Sequence, residues 1–573
     1  MLKRKNILFA GLSIFAVIVL IIGFLVIKRA FNNLDPLRKA QQAISIAVQM
    51  KDLNEKELEK YNPKSQRAVD VKHYLINLDL YPDQEKIIGD VTISLKINDK
   101  LSDRFEINLY DNFKIREVQV NNENTEYEQT EKVLTVLKKN KELDSADVRI
   151  KYEGTPKSLG FGSFRFVEVD GHLQTYTLSE PIFASTWFPC IDLPDDKALL
   201  DIYVTNDSSN ISLSNGKLLD VQSNKTRRTY HWKTFYPIAT YLIAVYSGNY
   251  KTFSEKYRSV SGDSLNIAYY ALPKDIDNAK KDFLGHSSYI KVFEELFGPY
   301  PFVKEKYSVA EFWWQGGAME NQTLTGIGSN FISGLRLSTD FLIHELSHHW
   351  WGDAVTLKTW KDIWLNEGFA TYSVALYWEK QAGFSALQST LSLKFGTFDH
   401  GTLYNPGNAL FSGLVYNKGA WVLHMLRKEV GDNIFFKILK EYFLKYKYGN
   451  ASTEDFKILC ERISKKNLSR FFEQWIFKGK GIIELEADWN SVQSGKNFNS
   501  RISIKQLQKG YDIYKFPIDI KLIYDRQDDY TISTVYVTSK DTVINVKSKK
   551  KPSKIILDPD KWLLASIEMV NDN

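Results

Sequence analysis

The chain has 573 residues, 43% of them hydrophobic and 25% charged, as expected of a folded globular protein long enough for several domains. Lys and Arg (75) nearly balance Asp and Glu (69), so the net charge of +6 is too small and too evenly spread for a nucleic-acid binder. Two cysteines, Cys190 and Cys460, exclude a disulfide framework and lack metal-site spacing; they read as buried thiols.

Residues 1–6 are a short basic segment containing Lys3, Arg4 and Lys5. Residues 7–27 then run without a charge, long enough to cross a hydrocarbon core of about 30 Å, and Lys28 and Arg29 follow. The apolar run is longer than a cleavable signal core and shows no small-residue cleavage site. It predicts an uncleaved single-pass membrane anchor. The heavier positive charge ahead of it favours an inside N-terminus and an extracytoplasmic remainder, and a cytosol-facing enzyme stays open as the alternative. Residues 28–66 read as a juxtamembrane helical stalk: Asp35-Pro36 suits a helix start, and Leu37, Ala40, Ile44 and Ala47 share one face.

From residue 67 the period becomes two. Tyr74, Ile76, Leu78 and Leu80 alternate with polar residues, as do Val91, Ile93, Leu95 and Ile97, with Tyr81-Pro82-Asp83 as the turn between them. Residues 67–250 are therefore expected to form a β-rich domain. Residues 251–481 read as largely helical, with amphipathic stretches at 420–430 and 435–448. Alternation returns over residues 482–573, as in Phe516, Ile518, Ile520 and Leu522, and fits a small C-terminal β-sandwich.

Two segments of the helical region carry chemistry. Gly316-Gly317-Ala318-Met319-Glu320-Asn321 offers small residues beside which an extended peptide backbone could run as an added strand, and Glu320 could hold a substrate ammonium. By itself such a run is also an ordinary loop. His344-Glu345-Leu346-Ser347-His348 places two imidazoles one helical turn apart, able to reach a single ion, with Glu345 beside them as a general base. A catalytic zinc takes three protein ligands, and Glu367 in Asn366-Glu367-Gly368-Phe369-Ala370 can supply the third after a helix–loop–helix return. His349 points about 100° away from His348 and is read as non-ligating.

These segments, GGAMEN and HELSH with the Glu of NEGFA after eighteen intervening residues, resemble the aminopeptidase N family of gluzincin zinc metallopeptidases. The resemblance extends from about Val71 to Leu564 through DVKHYLINLDLYPDQEKIIGDVTI, EPIFASTWFPCIDLPDDKA and PSKIILDPDKWLL. It implies a multidomain α+β fold: a β-rich saddle domain, a thermolysin-like, mainly helical catalytic domain and a small β-sandwich. It also implies one Zn2+ per chain, with Tyr416 as the donor to the oxyanion and Glu180 as a second carboxylate for the substrate amine. Two positions depart from the family pattern. Leu178 replaces a common Gln, which leaves the first side-chain preference open, and Val374 replaces an acidic residue seven after Glu367. The large helical C-terminal domain of longer members is not expected here.

The resulting expectation is a membrane-anchored zinc aminopeptidase acting on peptides with a free N-terminus, with no nucleic-acid partner. Glu345 and Tyr416 would be catalytic, and His344, His348 and Glu367 would hold the metal. Glu320 and Glu180 would bind the substrate amine, and Gly316, Gly317, Ala318 and Met319 the substrate backbone. The alternatives are a catalytically silent scaffold, which should have lost one of these groups, and a zinc endopeptidase, which would have no ammonium for Glu320 to bind.

Overall fold

The computed structural model describes residues 64–139 and 142–570. The predicted basic segment, the anchor at 7–27 and the stalk up to residue 63 lie outside the described residues. Among the described residues no helix is long and apolar enough to cross a membrane. The last stalk residues enter the 3-10 turn Lys64–Ala68, where Gln66 is buried.

Strict alternation makes the first strands. Val69–Tyr81 and Lys86–Ile97 form an antiparallel hairpin in which Tyr74, Ile76, Leu78, Leu80, Val91 and Ile93 all point into the core. The turn is the 3-10 segment Pro82–Gln84, closed by Glu85 in the left-handed region. Val69–Tyr81 also pairs in parallel with Leu199–Asp207, at the centre of an eight-stranded sheet. A second sheet of four strands contains Phe164–Val169, His172–Thr177, Ile211–Ser214 and Val245–Gly248. His172–Thr177 runs into the segment that carries Leu178 and Glu180.

The stretch expected to be largely helical opens with a five-stranded sheet. Its order is Lys251–Arg258, Ser264–Ala271, Tyr307–Phe312, Thr325–Gly328 and Ala318–Met319. Tyr307–Phe312 is buried at every residue, so it lacks the alternation that marks a half-exposed strand. Helices follow, and three of them build the site: α1 (Thr339–His348), α2 (Trp364–Ala382) and α3 (Gly419–Val430). Between α1 and α2 the chain turns back through the short strand Val355–Leu357 and the 3-10 turn Trp360–Asp362.

The C-terminal residues form two packed sheets, one of four strands and one of three, with Ile518, Ile520 and Leu522 buried between them. α3 is tied to this sandwich. His424 stacks on Trp562 at 4.5 Å between ring centroids, and Lys428 Nζ donates to Asp519 at 2.6 Å. Cys190 and Cys460 are buried free thiols.

Candidate active site

α1 brings His344 and His348 onto one face, their rings 4.7 Å apart between centroids and their Nε2 atoms 3.1 Å apart. Both nitrogens face one oxygen of Glu367, Oε2, at 3.3 Å from His344 and 3.4 Å from His348. Glu367 sits in the first turn of α2, where the positive end of the helix dipole favours a carboxylate. Burial pushes its carboxyl up, but the charge of His348 and the hydrogen bonds of both imidazoles outweigh that and hold it at about 2.

These three groups fit a zinc ion. A tetrahedral site with bonds of about 2.0–2.1 Å sets its ligand atoms about 3.3 Å apart, and the separations here are 3.1, 3.3 and 3.4 Å. His348 is held in the tautomer that a metal requires. Its Nδ1–H donates to the Trp351 carbonyl at 3.0 Å, which leaves Nε2 as the nitrogen that a metal would take once it displaces the proton. Gly352 makes that approach possible: its φ of +136° suits glycine, and a Cβ there would lie 3.3 Å from His348 Nδ1 and 3.2 Å from Asn366 Nδ2. His349 turns away, as expected. Its ring is buried, with Nδ1 2.8 Å from the Tyr300 hydroxyl and Nε2 3.7 Å from Asp353.

Carboxylates surround these three groups. Glu320, Glu345 and His348 place ligand atoms within 4.8 Å of one another, and so do Glu180, Glu320 and Glu367. All four glutamates are buried. One oxygen of Glu180 and one of Glu320 have no hydrogen-bond partner. Burial, reinforced by the neighbouring carboxylates, raises the carboxyls of Glu180 and Glu345 well above the usual range, and burial raises Glu320 as well. Four carboxyl groups so close in one dry space can ionise together only with cations beside them.

Tyr416 stands on a π-helical turn, Leu414–Lys418, that leads into α3. Its ring lies nearly parallel to that of His344, 5.8 Å away at 21°. Burial, then the charge of Glu367, raises its hydroxyl well above the ordinary value, so it remains a donor. Ala318–Met319 is an edge strand paired only with Thr325–Gly328, and it leads directly to Glu320. At Gly316 the room for a side chain is taken by the protein itself, since a Cβ would lie 2.4 Å from the Trp314 ring.

The structure thus gathers His344, His348, Glu367, Glu345, Glu320, Glu180 and Tyr416 around one centre, from both the β-rich domain and the helical one. Sequence reasoning missed the supports. Tyr241, Asn366 and the Gly352 carbonyl form a hydrogen-bonded chain behind α2, with contacts of 3.3 and 3.5 Å. The glycines at 368 and 419, each inside a helix, were a readable signal of close helix approach.

Comparison with known proteins is consistent with this geometry. The family profile described as "Peptidase M1 N-terminal domain" matches residues 70–242, and "Peptidase family M1 domain" matches residues 285–475, together more than half of the chain. A relative named "Probable aminopeptidase 1", from Sulfurisphaera tokodaii, is 26% identical over 445 residues, 72% of this chain and 54% of that protein. The chain spans about half the length of the curated relatives it matches. Among solved structures, Legionella pneumophila aminopeptidase A in complex with aspartic acid superposes with a TM-score of 0.76 at 19% identity, over 87% of this chain and 60% of that one. An M1 zinc metallopeptidase from Deinococcus radiodurans gives 0.63 at 24% identity, over 71% and 93%. At these identities the likeness is one of fold.

Proposed function

This chain belongs to peptidase family M1, and from that premise we propose that it is a zinc-dependent aminopeptidase removing single residues from the free N-terminus of peptides. One observation carries the reading. Glu180 and Glu320, each with one carboxylate oxygen that has no hydrogen-bond partner, place oxygens within 4.8 Å of each other and of Glu367. In a peptide the α-amino nitrogen is only about 2.5 Å from the first carbonyl carbon. An ammonium held between Glu180 and Glu320 therefore presents the first peptide bond to the centre and keeps later ones out.

His344, His348 and Glu367 would hold the zinc. When bound, zinc supplies Lewis acidity at the scissile carbonyl and at the attacking water. Glu345, one residue round α1 from His344, would take the proton of the attacking water and pass it to the leaving nitrogen, a role for a positioned carboxylate. The Tyr416 hydroxyl donates to the oxyanion, where one such donor is worth about 2.7–4 kcal/mol. The free side of Ala318–Met319 receives the substrate backbone as an added strand. A silent scaffold is disfavoured because every catalytic group is present and converges. An endopeptidase is disfavoured because a blocked N-terminus would leave two buried carboxylates facing no cation.

The apolar run at 7–27 with its basic flanks supports a single-pass anchor with the catalytic part outside the cytoplasm. Resistance of the chain to alkaline extraction from membranes would support this, and its release would contradict it. The activity is tested by incubating the full chain with unblocked peptides. Stepwise loss of single N-terminal residues, stopped by a chelator and restored by zinc, is expected; internal cleavage would overturn the reading.

A further inference from the structure

Thr323 is buried with a φ of +64°, and among the described residues it is the one β-branched residue in the left-handed region. A branched Cβ is strongly disfavoured there, and such a conformation persists only where its surroundings over-determine it. Hydrogen bonds do so here. The Thr323 carbonyl accepts from Ser308 N–H at 3.1 Å, from Ser308 Oγ at 2.7 Å and from Lys306 Nζ at 3.0 Å. Its Oγ1 accepts from Gly216 N–H at 2.8 Å and from Lys306 Nζ at 3.3 Å. The buried Lys306 ammonium also donates to the Ser214 carbonyl at 3.0 Å.

Thr323 is the second central residue of the turn Asn321–Leu324, closed by Leu324 N–H donating to the Asn321 carbonyl at 2.8 Å. A type II turn needs a positive φ at that position, and Gly or Asn usually supplies it. Glu320 stands immediately before this turn and immediately after the strand Ala318–Met319, which pairs with Thr325–Gly328. Its backbone is therefore fixed from both sides. The β-rich domain grips the turn through Ser214, Gly216 and Asn215, whose Nδ2 donates to the Gln322 carbonyl at 2.7 Å. These residues close and follow the strand Ile211–Ser214. The same four-stranded sheet contains His172–Thr177, which leads to Glu180. One sheet thus sets the places of both carboxylates.

Given the amine clamp proposed above, on which this role rests, we propose that Thr323, pinned by Lys306 and Gly216, is the positioning residue of Glu320. It holds that carboxylate at the separation from Glu180 that a single ammonium can bridge. Without Oγ1, a branched residue at 323 relaxes its φ, the turn shifts, and Glu320 shifts with it. His344, His348 and Glu367 stand on α1 and α2, outside this turn, and keep their places.

The test is kcat/KM of the full-length chain for one peptide with its N-terminus free and acetylated, with Tm measured on every variant. Thr323→Val keeps the branched shape and loses Oγ1. It should lower kcat/KM for the free peptide by at least about 10-fold and leave the acetylated peptide unchanged. Lys306→Met, which takes the ammonium away from both Thr323 oxygens, should show the same selective loss and replaces Thr323→Val if that variant does not fold. Thr323→Ser keeps the oxygen, and Thr323→Gly takes a positive φ without strain; both should retain the wild-type preference for the free peptide. An equal loss for both peptides, a preference unchanged in Thr323→Val or Lys306→Met, or a preference lost in Thr323→Gly at wild-type Tm would each overturn the positioning role. Equal cleavage of both peptides by the wild type would instead remove the amine clamp itself, and this role with it.

Discussion

Gly368 on α2 and Gly419 at the start of α3 meet backbone to backbone: a Cβ on Gly368 would lie 2.9 Å from Gly419 Cα, and one on Gly419 would lie 2.8 Å from Gly368 Cα. Glu367 precedes the first glycine by one residue and Tyr416 precedes the second by three. This contact therefore fixes how closely the backbones that carry Glu367 and Tyr416 approach each other. Gly368→Ala should push α2 and α3 apart and cost about 1–3 kcal/mol of stability through overpacking. It should also lower kcat by up to about 100-fold, since small misplacements of catalytic groups are expensive. A variant with lowered Tm but wild-type kcat would show that the contact serves stability alone.

Glu345→Gln keeps the shape of the side chain and removes the proposed base. Zinc content measured by elemental analysis should stay at one per chain, because the proposed ligands are His344, His348 and Glu367, while kcat falls about 10²–10⁴-fold. Substantial remaining turnover would move the base elsewhere.

Tyr416→Phe removes one hydroxyl and leaves the ring packed against His344. The expected loss is about 10²–10³-fold in kcat with little change in KM, the pattern of an interaction made only in the transition state. A rise in KM alone would make Tyr416 a substrate-binding residue.

His424, stacked on Trp562 and 3.1 Å from the Tyr372 hydroxyl, is fully buried. Burial, helped by the charge of Arg427, lowers its pKa from 6.5 to about 3. Between those values the unfolded chain binds a proton that the native chain does not. The stability this group contributes is thus present above about 6.5 and is lost as the pH falls toward 3, with a slope of up to about 1.4 kcal/mol per pH unit. Thermal melts across this range should show Tm falling with pH, and His424→Gln should flatten the profile. Parallel profiles would mean that other groups govern acid stability.

What could be read from the sequence follows from how local the determinant is. The helical period alone puts His344 and His348 on one face, and strand alternation alone gives Tyr74, Ile76 and Leu78 their inward direction. Glu180 and Tyr416 are far from α1 in sequence and arrive by tertiary packing, so only the family resemblance pointed to them. Tyr307–Phe312 was hidden because a strand buried on both faces carries no period. At Gly316 the Trp314 ring lies where a side chain would go, a packing detail that no pattern of spacing could foresee.

The central claim is that Glu180 and Glu320 hold a substrate ammonium next to the metal centre. Its most direct test is kcat/KM for one peptide with its N-terminus free and acetylated, measured on the wild type and on Glu320→Gln. The wild type should prefer the free peptide by at least about 10–100-fold, as expected for hydrogen bonds between charged groups, and Glu320→Gln should shrink that preference. Equal cleavage of both peptides by the wild type would contradict the amine anchor and the aminopeptidase reading with it.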